Sequence, residues 1–446
     1  MQLENLTKIL QENGIVGAGG AGFPAYAKLN KQADTIILNC AECEPLFKVH
    51  RQMLKQYAFE IVSALSMVAD SVEAERAIVA IKPSYKGATE AVKAAMEAFP
   101  KVSIAFLPEI YPAGDEVILT YEVTGRVIQP GNIPITVGVT VFNVETMLNI
   151  YRAVQENAGV THKYVMVAGE VANPKVLRIP LGMTHGEVIE LCGGATIKDP
   201  AYLIGGPMTG KIGSPSGMIT KTTNAVILLP QDHYIVQRKT VKANIGMKRA
   251  MSACCSCRMC TDLCSRNLMG HPINPQAFMH GISNNQVFDE KPFLDTFYCS
   301  QCGLCEMYSC MQGLSPATLI GEYRTGLRAK GVLPDKDAAE FSGISDKREY
   351  RKVPVSRLVR RLGLSKYNVA APISDKEIPA KRLTVSLQQN IGAPSVPVVK
   401  KGDKVTAGML IAKAPEGKLG VGLHAPMDGK VAELNDKVII IEKTRK

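Results

Sequence analysis

Apolar positions near the start of the chain repeat at the spacing of an amphipathic helix. Leu3, Leu6 and Ile9 fall on one face, and the Asn13-Gly14 pair is a typical helix stop. The pattern predicts a short helix that packs on the first domain. A targeting or docking helix is the alternative, but the chain enters a glycine-rich segment directly, without a linker.

Two later regions alternate short β-rich pieces with turns. Residues 164–230 do so around one helical stretch, residues 185–191, which predicts a small α+β domain. Residues 379–446 show the same alternation of short β segments and turns. Neither region has the long helical periodicity of a bundle, so the chain divides into several small modules.

A basic stretch, residues 347–366, precedes the last of these regions. Pro354 can start a helix and Gly363 can end it, while Leu358 and Leu362 offer an inward face. One interpretation is the solvated basic face of a packed helix. The other is a docking patch for an acidic partner.

Length, charge and hydropathy exclude several classes of protein. The chain has 446 residues, enough for two to four domains, and no apolar run approaches the roughly 18 residues of a membrane span. Residues 1–16 lack the features of a secretory signal, so we expect a cytoplasmic, reducing environment. The net charge of +11 is spread along the chain without a nucleic-acid-binding signature, so we expect no nucleic-acid partner.

A glycine-rich segment and three polar segments carry candidate cofactor chemistry. Residues 17–24 match G-x-G-x-x-G by letter, but a helix precedes them, which argues against an ordinary Rossmann turn. Glycines still allow backbone N–H groups to approach a phosphate or a flat ring. A strand at 35–38 runs into Asn-Cys-Ala-Glu-Cys-Glu-Pro, and residues 111–116 and 141–146 are similarly polar. The end of the strand at 35–38, with its Asn and two carboxylates, is a candidate ligand edge.

Eight of the 12 cysteines form two tight runs. The spacings are C-x₂-C-x₂-C-x₃-C at Cys254, Cys257, Cys260 and Cys264, and C-x₂-C-x₂-C-x₄-C at Cys299, Cys302, Cys305 and Cys310. Three cysteines at two-residue spacing, followed by a fourth, are typical of [4Fe–4S] clusters, whereas structural zinc sites use paired C-x₂-C units. Zinc and thiol redox chemistry are the alternatives.

The fourth cysteine of each run in two-cluster ferredoxins ligates the other cluster. We therefore expect one cluster on Cys254, Cys257, Cys260 and Cys310, and a second on Cys299, Cys302, Cys305 and Cys264. Cys255 is expected to be a non-ligand. His271 is a candidate ligand of a cluster or of cobalt. The alternative is a structural role, as a hydrogen-bonded histidine in a loop.

The four polar segments together resemble the flavin- and NADH-binding domain of the flavoprotein component of respiratory complex I. They lie closer to the RnfC proteins of the Rnf complex and to the cobalamin reductases of propanediol-utilisation microcompartments. The resemblance implies that FMN is lined by Gly17, Gly19, Gly20, Gly22, Lys28, Asn39, Glu42, Tyr111, Gly114, Glu116, Asn143 and Thr146. It implies that Phe23 and Glu44 face NADH. The complex I pattern has an Arg at the position of Ala18 and an Asp at the position of Ala41. These two differences affect the expected NADH contacts more than the flavin contacts.

The resemblance covers nearly the whole chain and implies a multidomain fold of α/β and α+β modules. The expected parts are an FMN- and NADH-binding domain (1–158), a β-grasp (SLBB-like) domain (159–238), a ferredoxin-like domain with two [4Fe–4S] clusters (239–345), a basic helix or linker (346–378) and a barrel-sandwich hybrid (379–446). The last fold is that of biotinyl and lipoyl carriers. No carrier lysine motif is present, so we expect a structural domain there.

The resemblance implies an NADH-dependent flavo-iron–sulfur reductase with cobalamin as its one-electron acceptor. The cofactors supply the redox chemistry, so no catalytic side chain is expected. An adenosyltransferase and microcompartment shell proteins are candidate partners, and a microcompartment within the cytoplasm is a candidate location. Two alternatives are a non-catalytic Rnf-like electron-transfer adaptor and an entry point for a different one-electron acceptor.

Overall fold

The computed structural model of the chain describes residues 1–285, 287, 289–335 and 339–444. Within these ranges, no helix is both long enough and apolar enough to cross a membrane.

A parallel sheet forms the centre of the N-terminal region. Its elements are, in chain order, α1 (Leu3–Glu12), β1 (Thr35–Cys40), α2 (Val49–Gln56), α3 (Ala58–Ser71), β2 (Arg76–Ile81), α4 (Lys86–Met96), β3 (Val102–Phe106), β4 (Ile110–Tyr111), α5 (Glu116–Thr124), β5 (Val139–Asn143) and α6 (Val144–Gln155). Ile36 and Leu38 of β1 face a large core under the helices, and Ile37 faces a smaller apolar cluster on the other side. The predicted first helix and its stop at Asn13 are confirmed.

The strand order of this sheet creates a crevice. The strands lie in the order β3-β2-β1-β5 and are all parallel. β2 and β3 therefore lie on one side of β1, and β5 lies on the other. Ligands of open α/β sheets bind at such a switch point, at the carboxyl ends of the strands. Asn39 and Asn143 are register partners at the ends of β1 and β5, so both lie at this edge.

A second, mixed sheet follows. Its elements are β6 (His162–Gly169), β7 (Lys175–Pro180), α7 (His185–Glu190), β8 (Ala201–Ile204), β9 (Lys211–Gly213) and β10 (Ala225–Leu229). The helix predicted at 185–191 is confirmed as α7, which begins at a capping box between Thr184 and Glu187. This sheet is the expected β-grasp module.

The cysteine region is helical. It comprises α8 (Tyr234–Lys239), α9 (Ala243–Ala253), α10 (Met259–Asp262), α11 (Ser265–Leu268), α12 (Pro275–Ser283), α13 (Lys291–Leu294) and α14 (Pro316–Ala329), with a π-helical turn at Cys305–Ser309. Phe278, Phe293 and Tyr323 pack ring against ring in its core. The thiols therefore lie on short helices and loops around one aromatic cluster.

The basic stretch is a strap on two domains. Its elements are α15 (Arg348–Arg351), β11 (Val353–Pro354), α16 (Val355–Arg361) and β12 (Ile373–Ser374). β11 pairs with β4, and β12 joins the edge of the second sheet beside β7. Arg348 and Lys352 both pair with Glu122 and Glu349. Part of the predicted basic face is thus engaged in internal ion pairs, while Arg357 is exposed.

Two small sheets form the C-terminal sandwich. Its strands are β13 (Arg382–Ser386), β14 (Val396–Pro397), β15 (Lys404–Val405), β16 (Leu410–Lys413), β17 (Leu423–His424), β18 (Gly429–Leu434) and β19 (Val438–Glu442). One sheet has the order β13-β19-β18-β15 and the other β14-β16-β17, around a shared apolar core. Buried Lys221 ties this sandwich to the rest, since its Nζ donates to the carbonyls of Gly14 (2.7 Å) and Gly422 (3.1 Å).

A buried ion pair joins the first two domains. Lys163 of β6 donates to the carboxylate of Glu145 in α6, and the side chains are 2% and 1% exposed. Lys163 also donates to Asn224 Oδ1 (2.8 Å), and Glu145 accepts from the Tyr164 backbone N–H (2.9 Å). Both charges are therefore fully partnered away from water.

Removing one partner of this pair should be costly. In Lys163→Ala, the Glu145 carboxylate stays buried without its cation, so we expect the free energy of unfolding to fall by about 3 kcal/mol. Urea denaturation measures this. The control Lys8→Ala removes an exposed pair with Glu12 (4.0 Å) and should change stability by less than about 0.5 kcal/mol. Equal effects of both substitutions would contradict the role of the buried pair.

Candidate functional site

A cavity of about 320 Å³ lies at the carboxyl edge of β1 and β5. All the residues assigned from the sequence to cofactor binding, except Gly22 and Tyr111, lie on its wall. The full lining is Gly17, Gly19, Gly20, Phe23, Ala25, Lys28, Asn39, Glu42, Cys43, Glu44, Phe47, His50, Gly114, Glu116, Val141, Phe142, Asn143 and Thr146. The fold thus brings together segments that are separated by up to 129 positions in the sequence.

The glycine-rich loop is fixed to the first turn of α6. The Ala18 backbone N–H donates to Thr146 Oγ1 (2.9 Å), and Gly17 N–H donates to the Phe23 carbonyl (2.8 Å). Gly20 has φ +67°, and no protein atom lies within 4 Å of a Cβ built there. The loop therefore presents bare backbone to the cavity beside a helix N-terminus, where phosphate groups bind well. This cradle fits a flavin mononucleotide.

The strand ends supply amide groups. Asn39 Nδ2 donates to the Gly114 carbonyl (3.0 Å), which fixes the loop before α5. Asn143 Oδ1 accepts from Glu145 N–H (2.9 Å) and caps α6, while its Nδ2 lies 3.1 Å from His50 Nε2. These amides are held in place before any ligand arrives.

His50 and Phe47 are wall residues that the sequence reasoning missed. Burial lowers the pKa of His50, so its ring is neutral, and its Nδ1 is buried without a hydrogen-bond partner among the described residues. An orphaned polar atom beside a cavity fits a polar ligand. The available signal was their position directly after residues 39–45, where the start of α2 folds over the sheet edge.

Lys28 forms the charged part of the wall with Glu116. Its Nζ lies 3.0 Å from Glu116 Oε1 and donates to the Val141 carbonyl (3.0 Å). The ion pair holds the lysine at the cavity, where it is available to a phosphate or to the polar edge of a flavin.

Two carboxylates predicted to contact cofactors have structural partners. Glu42 accepts from His50 N–H (2.7 Å) and from Arg51 N–H (3.2 Å) and Nε (3.0 Å), so it anchors the start of α2. Burial opposes its ionisation, but Arg51 and His50 outweigh this and hold the pKa of Glu42 below its usual value. The side chain borders the cavity, but its oxygens face the helix.

Glu44 faces the β-grasp domain. Its carboxylate accepts from the backbone N–H groups of Met208 and Thr209 (both 2.9 Å) and from Thr209 Oγ1 (2.6 Å). A Cβ at Gly206 would lie 2.2 Å from the Glu44 carboxylate, so the loop needs glycine there. Burial raises the pKa of Glu44. The predicted NADH residue therefore also positions the neighbouring domain.

Gly22 and Tyr111 lie away from the cavity wall. A Cβ at Gly22 would lie 2.9 Å from Thr222 Cγ2 and 3.2 Å from the Gln389 carbonyl oxygen, so this glycine permits close domain packing. The buried Tyr111 hydroxyl donates to the Cys302 carbonyl (2.6 Å). Both residues were assigned to the flavin, and both instead make contacts to other domains.

The cysteines form two groups in space. One small cavity of about 30 Å³ is lined by Cys254, Cys257, Cys260 and Cys310. Cys255, which was expected to be a non-ligand, also lines it. Burial, followed by the thiols of Cys310, Cys257 and Cys254, raises the pKa of Cys260 to about 12. Thiols crowded in this way need a cation to become thiolates, which an iron–sulfur cluster supplies.

The second group surrounds the buried thiol of Cys305. Burial raises the pKa of Cys305 well above its usual value, and the thiols of Cys299, Cys302 and Cys264 raise it further. Cys264 from the first run therefore lies with three cysteines of the second run, and Cys310 lies with three of the first. The thiol chemistry and grouping fit two [4Fe–4S] clusters.

Contacts across the domain boundary join the second thiol group to the flavin cavity. Besides the Tyr111–Cys302 hydrogen bond, Arg266 Nη2 donates to Asp115 Oδ2 (2.9 Å), and these two residues lie close in sequence to Cys264 and Glu116. A Cβ at Gly303 would lie 3.3 Å from the Met208 carbonyl, in the loop that Glu44 holds.

His271, the candidate cluster or cobalt ligand, is structural, and so are three other histidine and cysteine side chains. His271 is buried, with Nε2 3.0 Å from the Ile128 carbonyl oxygen. Cys40 is buried in the core, and burial raises the pKa of the Cys43 thiol to about 11, so it stays protonated beside the cavity. His185 lies 2.9 Å from the Ser214 carbonyl oxygen through Nδ1.

Four family models match successive parts of the chain. They are the Nuo51 FMN-binding domain at residues 10–152, the SLBB domain at 164–211, the 4Fe-4S dicluster domain at 253–315 and the RnfC barrel sandwich hybrid domain at 364–445. The fold class and the FMN and [4Fe–4S] cofactors predicted from the sequence are confirmed. The last match begins before residue 379, inside the predicted linker.

Two curated relatives extend over nearly the whole chain. The cobalamin reductase PduS of Citrobacter freundii is 38% identical over 96% of this chain and 94% of its own length. That of Salmonella typhimurium is 36% identical over 99% and 97%. This chain belongs to the cobalamin reductase PduS family. A component of the proton-translocating ferredoxin:NAD(+) oxidoreductase complex of Clostridium ljungdahlii is 30% identical, but over only 60% of this chain and 57% of that one.

A solved structure supports the fold of this family member. An NAD+-reducing [NiFe]-hydrogenase in the H2-reduced state matches with a TM-score of 0.51 and 20% identity. The match covers 75% of this chain and 64% of the hydrogenase chain. At this identity the likeness concerns the fold alone.

A matched pair of glycine substitutions tests the flavin cradle. Gly20 and Gly125 have φ +67° and +72°, and neither has an atom within 4 Å of a built Cβ. Valine strains the backbone alike at both positions, but only Gly20 lies on the cavity wall. We expect Gly20→Val to lose bound FMN and retain cluster absorbance, and Gly125→Val to retain both. Equal flavin content in the two variants would contradict the cradle.

The crossed grouping of thiols is tested by two cysteine substitutions. Cys264→Ala should abolish the paramagnetic signal of the cluster on Cys299, Cys302 and Cys305 and leave about four irons per chain. Cys255→Ala, within the same run, should retain both clusters. If Cys264→Ala instead removes the signal of the cluster that contains Cys254, ligation is not crossed.

Proposed function

We propose that this chain is an NADH-dependent reductase that passes single electrons from FMN through two [4Fe–4S] clusters to the cobalt of cobalamin. The observation that carries the proposal is the direct contact between the flavin-binding domain and the cysteine loop, the hydrogen bond from Tyr111 to the Cys302 carbonyl (2.6 Å). The acceptor is proposed from the full-length similarity to cobalamin reductases.

The residues of the chain bind and shield the cofactors. Bound FMN accepts a two-electron hydride and releases electrons one at a time. The N–H groups of the 17–20 loop and the start of α6 are proposed to hold the phosphate, and Lys28 the polar edge. Phe47 and Phe142 supply apolar surface to the cavity wall. No side chain is required as acid, base or nucleophile.

NADH is proposed to enter beside Phe23 and Glu44. Phe23 lines the flavin cavity and also an adjoining, largely apolar cavity of about 280 Å³. This adjoining space offers room for a second cofactor next to the flavin. Glu44 supports the site through the loop at 206–209, so its contribution to NADH use is proposed to be positional.

Each domain has a proposed task with the boundaries expected from the sequence. Residues 1–158 carry FMN and NADH, 159–238 brace the cavity through Glu44, 239–345 carry the clusters, 346–378 strap the first two domains together, and 379–446 close over the glycine loop. An adenosyltransferase, shell proteins and a microcompartment location are proposed from the family resemblance alone.

The similarity favours the reductase over the adaptor. Rnf-type relatives match about three fifths of the chain, whereas cobalamin reductases match it from end to end. A reductase acts as a single chain, and an adaptor needs a second protein. The two functions are therefore separable in a purified system.

Anaerobically purified protein should contain about eight irons and eight labile sulfides per chain. With NADH it should reduce aquacobalamin without another protein, as followed by the visible spectrum of the corrinoid. Gly20→Val is the control, because it should keep the iron and lose the NADH-driven reaction. Stoichiometric zinc without sulfide, or a strict requirement for a partner protein, would contradict the proposal.

A further inference from the structure

The two thiol groups differ in their depth within the protein. In the group of Cys264, Cys299, Cys302 and Cys305, Cys305 is buried and the other three are half-buried, and the group contacts the flavin domain through Tyr111. In the other group, Cys257 is exposed. Met311, which follows Cys310, lies on the rim of the small thiol cavity and is 74% exposed. One cluster site thus adjoins the flavin, and the other reaches the surface.

The surface around the site of Cys254, Cys257, Cys260 and Cys310 is positively charged. Residues 233–261 contain six lysines and arginines and no carboxylate. Lys248, Arg249 and Arg258 are exposed among them. The helix α9 ends at Ala253, so Lys248 and Arg249 lie within roughly 9 Å of Cys254 along its axis. We call the surface formed by Lys248, Arg249, Cys257, Arg258 and Met311 the exit face.

The first carboxylate after this stretch is Asp262, and it has cationic partners. Asp262 lies 3.9 Å from Arg258 Nε and 3.9 Å from Arg351 Nη2. Two arginines share this one acid, so it leaves the exit face positive. The basic strap differs, because Arg348 and Lys352 are paired with Glu122 and Glu349. The exit face is therefore the better candidate for an acidic partner.

The thiol cavity is the space that the cluster itself would fill, because Cys254, Cys257, Cys260 and Cys310 line it. An acceptor must therefore meet this cluster from outside, at the surface where Cys257, Arg258 and Met311 are exposed. Complementary charge raises the rate of such encounters between proteins.

We propose that electrons leave this protein at the exit face and that the acceptor arrives on the acidic surface of a partner protein. The order of electron carriers is then flavin, the Cys264/Cys299/Cys302/Cys305 cluster, the Cys254/Cys257/Cys260/Cys310 cluster and the acceptor. This inference rests on the proposed function. Each transfer moves one electron outward, and two transfers use the electron pair that NADH delivers.

Charge reversal on the exit face tests the proposal in the holoprotein. The variant is Lys248→Glu/Arg249→Glu, and the control is Lys400→Glu/Lys401→Glu, an exposed pair on the C-terminal sandwich with the same change in net charge. The probe is flavodoxin, an acidic one-electron carrier. We expect the exit-face variant to bind it at least about tenfold more weakly at low salt, and the control to bind it like the wild type.

Electron delivery gives a second readout that does not depend on NADH. Protein reduced with dithionite should pass electrons to flavodoxin about tenfold more slowly in the exit-face variant, and added salt should remove the difference. Reduction of both clusters by NADH should be unchanged in the variant, because the flavin side is intact. If NADH does not reduce the clusters of the wild-type protein, the proposed function is contradicted. The docking result does not depend on that reaction.

Three results would overturn the proposal. One is equal weakening in the control variant, which would indicate a general charge effect. Another is wild-type binding and delivery in the exit-face variant, which would place the exit elsewhere. The third is the absence of measurable flavodoxin binding by the wild type at low salt, which would indicate that no acidic protein docks on the exit face.

Discussion

The first turn of α6 is the point on which the rest of the site depends. Asn143 caps the helix, Thr146 accepts from Ala18 in the glycine loop, and Glu145 pairs with Lys163 of the next domain. A buried charge without a partner is strongly unfavourable, so the β-grasp domain is held against α6. One helical turn thereby fixes the sheet edge, the loop that cradles a phosphate and the position of the second domain.

The cavity wall is built largely from groups whose hydrogen bonds are already satisfied. Glu42 anchors α2, Glu44 holds the 206–209 loop, and Asn39 binds the Gly114 carbonyl. Such groups need little rearrangement when a cofactor binds, which keeps the geometry of the site constant. Lys28 and the bare backbone of the glycine loop remain as the parts best placed to contact a ligand.

Contacts between domains determine how the cofactor regions are connected. Tyr111 reaches Cys302, and Arg266 reaches Asp115, so the buried thiol group lies against the flavin domain. On the far side, Lys221 donates to carbonyls of the N-terminal region and of the C-terminal sandwich. These links hold the flavin domain against both the cluster domain and the sandwich.

The sequence by itself determined the modules and the chemistry of the ligands. The two cysteine runs and the glycine-rich segment are local patterns. The spacing of their residues limits which metal or cofactor such a segment can hold. Most of the cavity wall was also expected from the sequence resemblance, and tertiary structure decided the exceptions. Tyr111, Gly22 and Glu44 contact residues that lie 164 or more positions away, and His50 enters the wall because α2 folds over the sheet edge. Such long-range contacts depend on domain packing, and no local pattern encodes them.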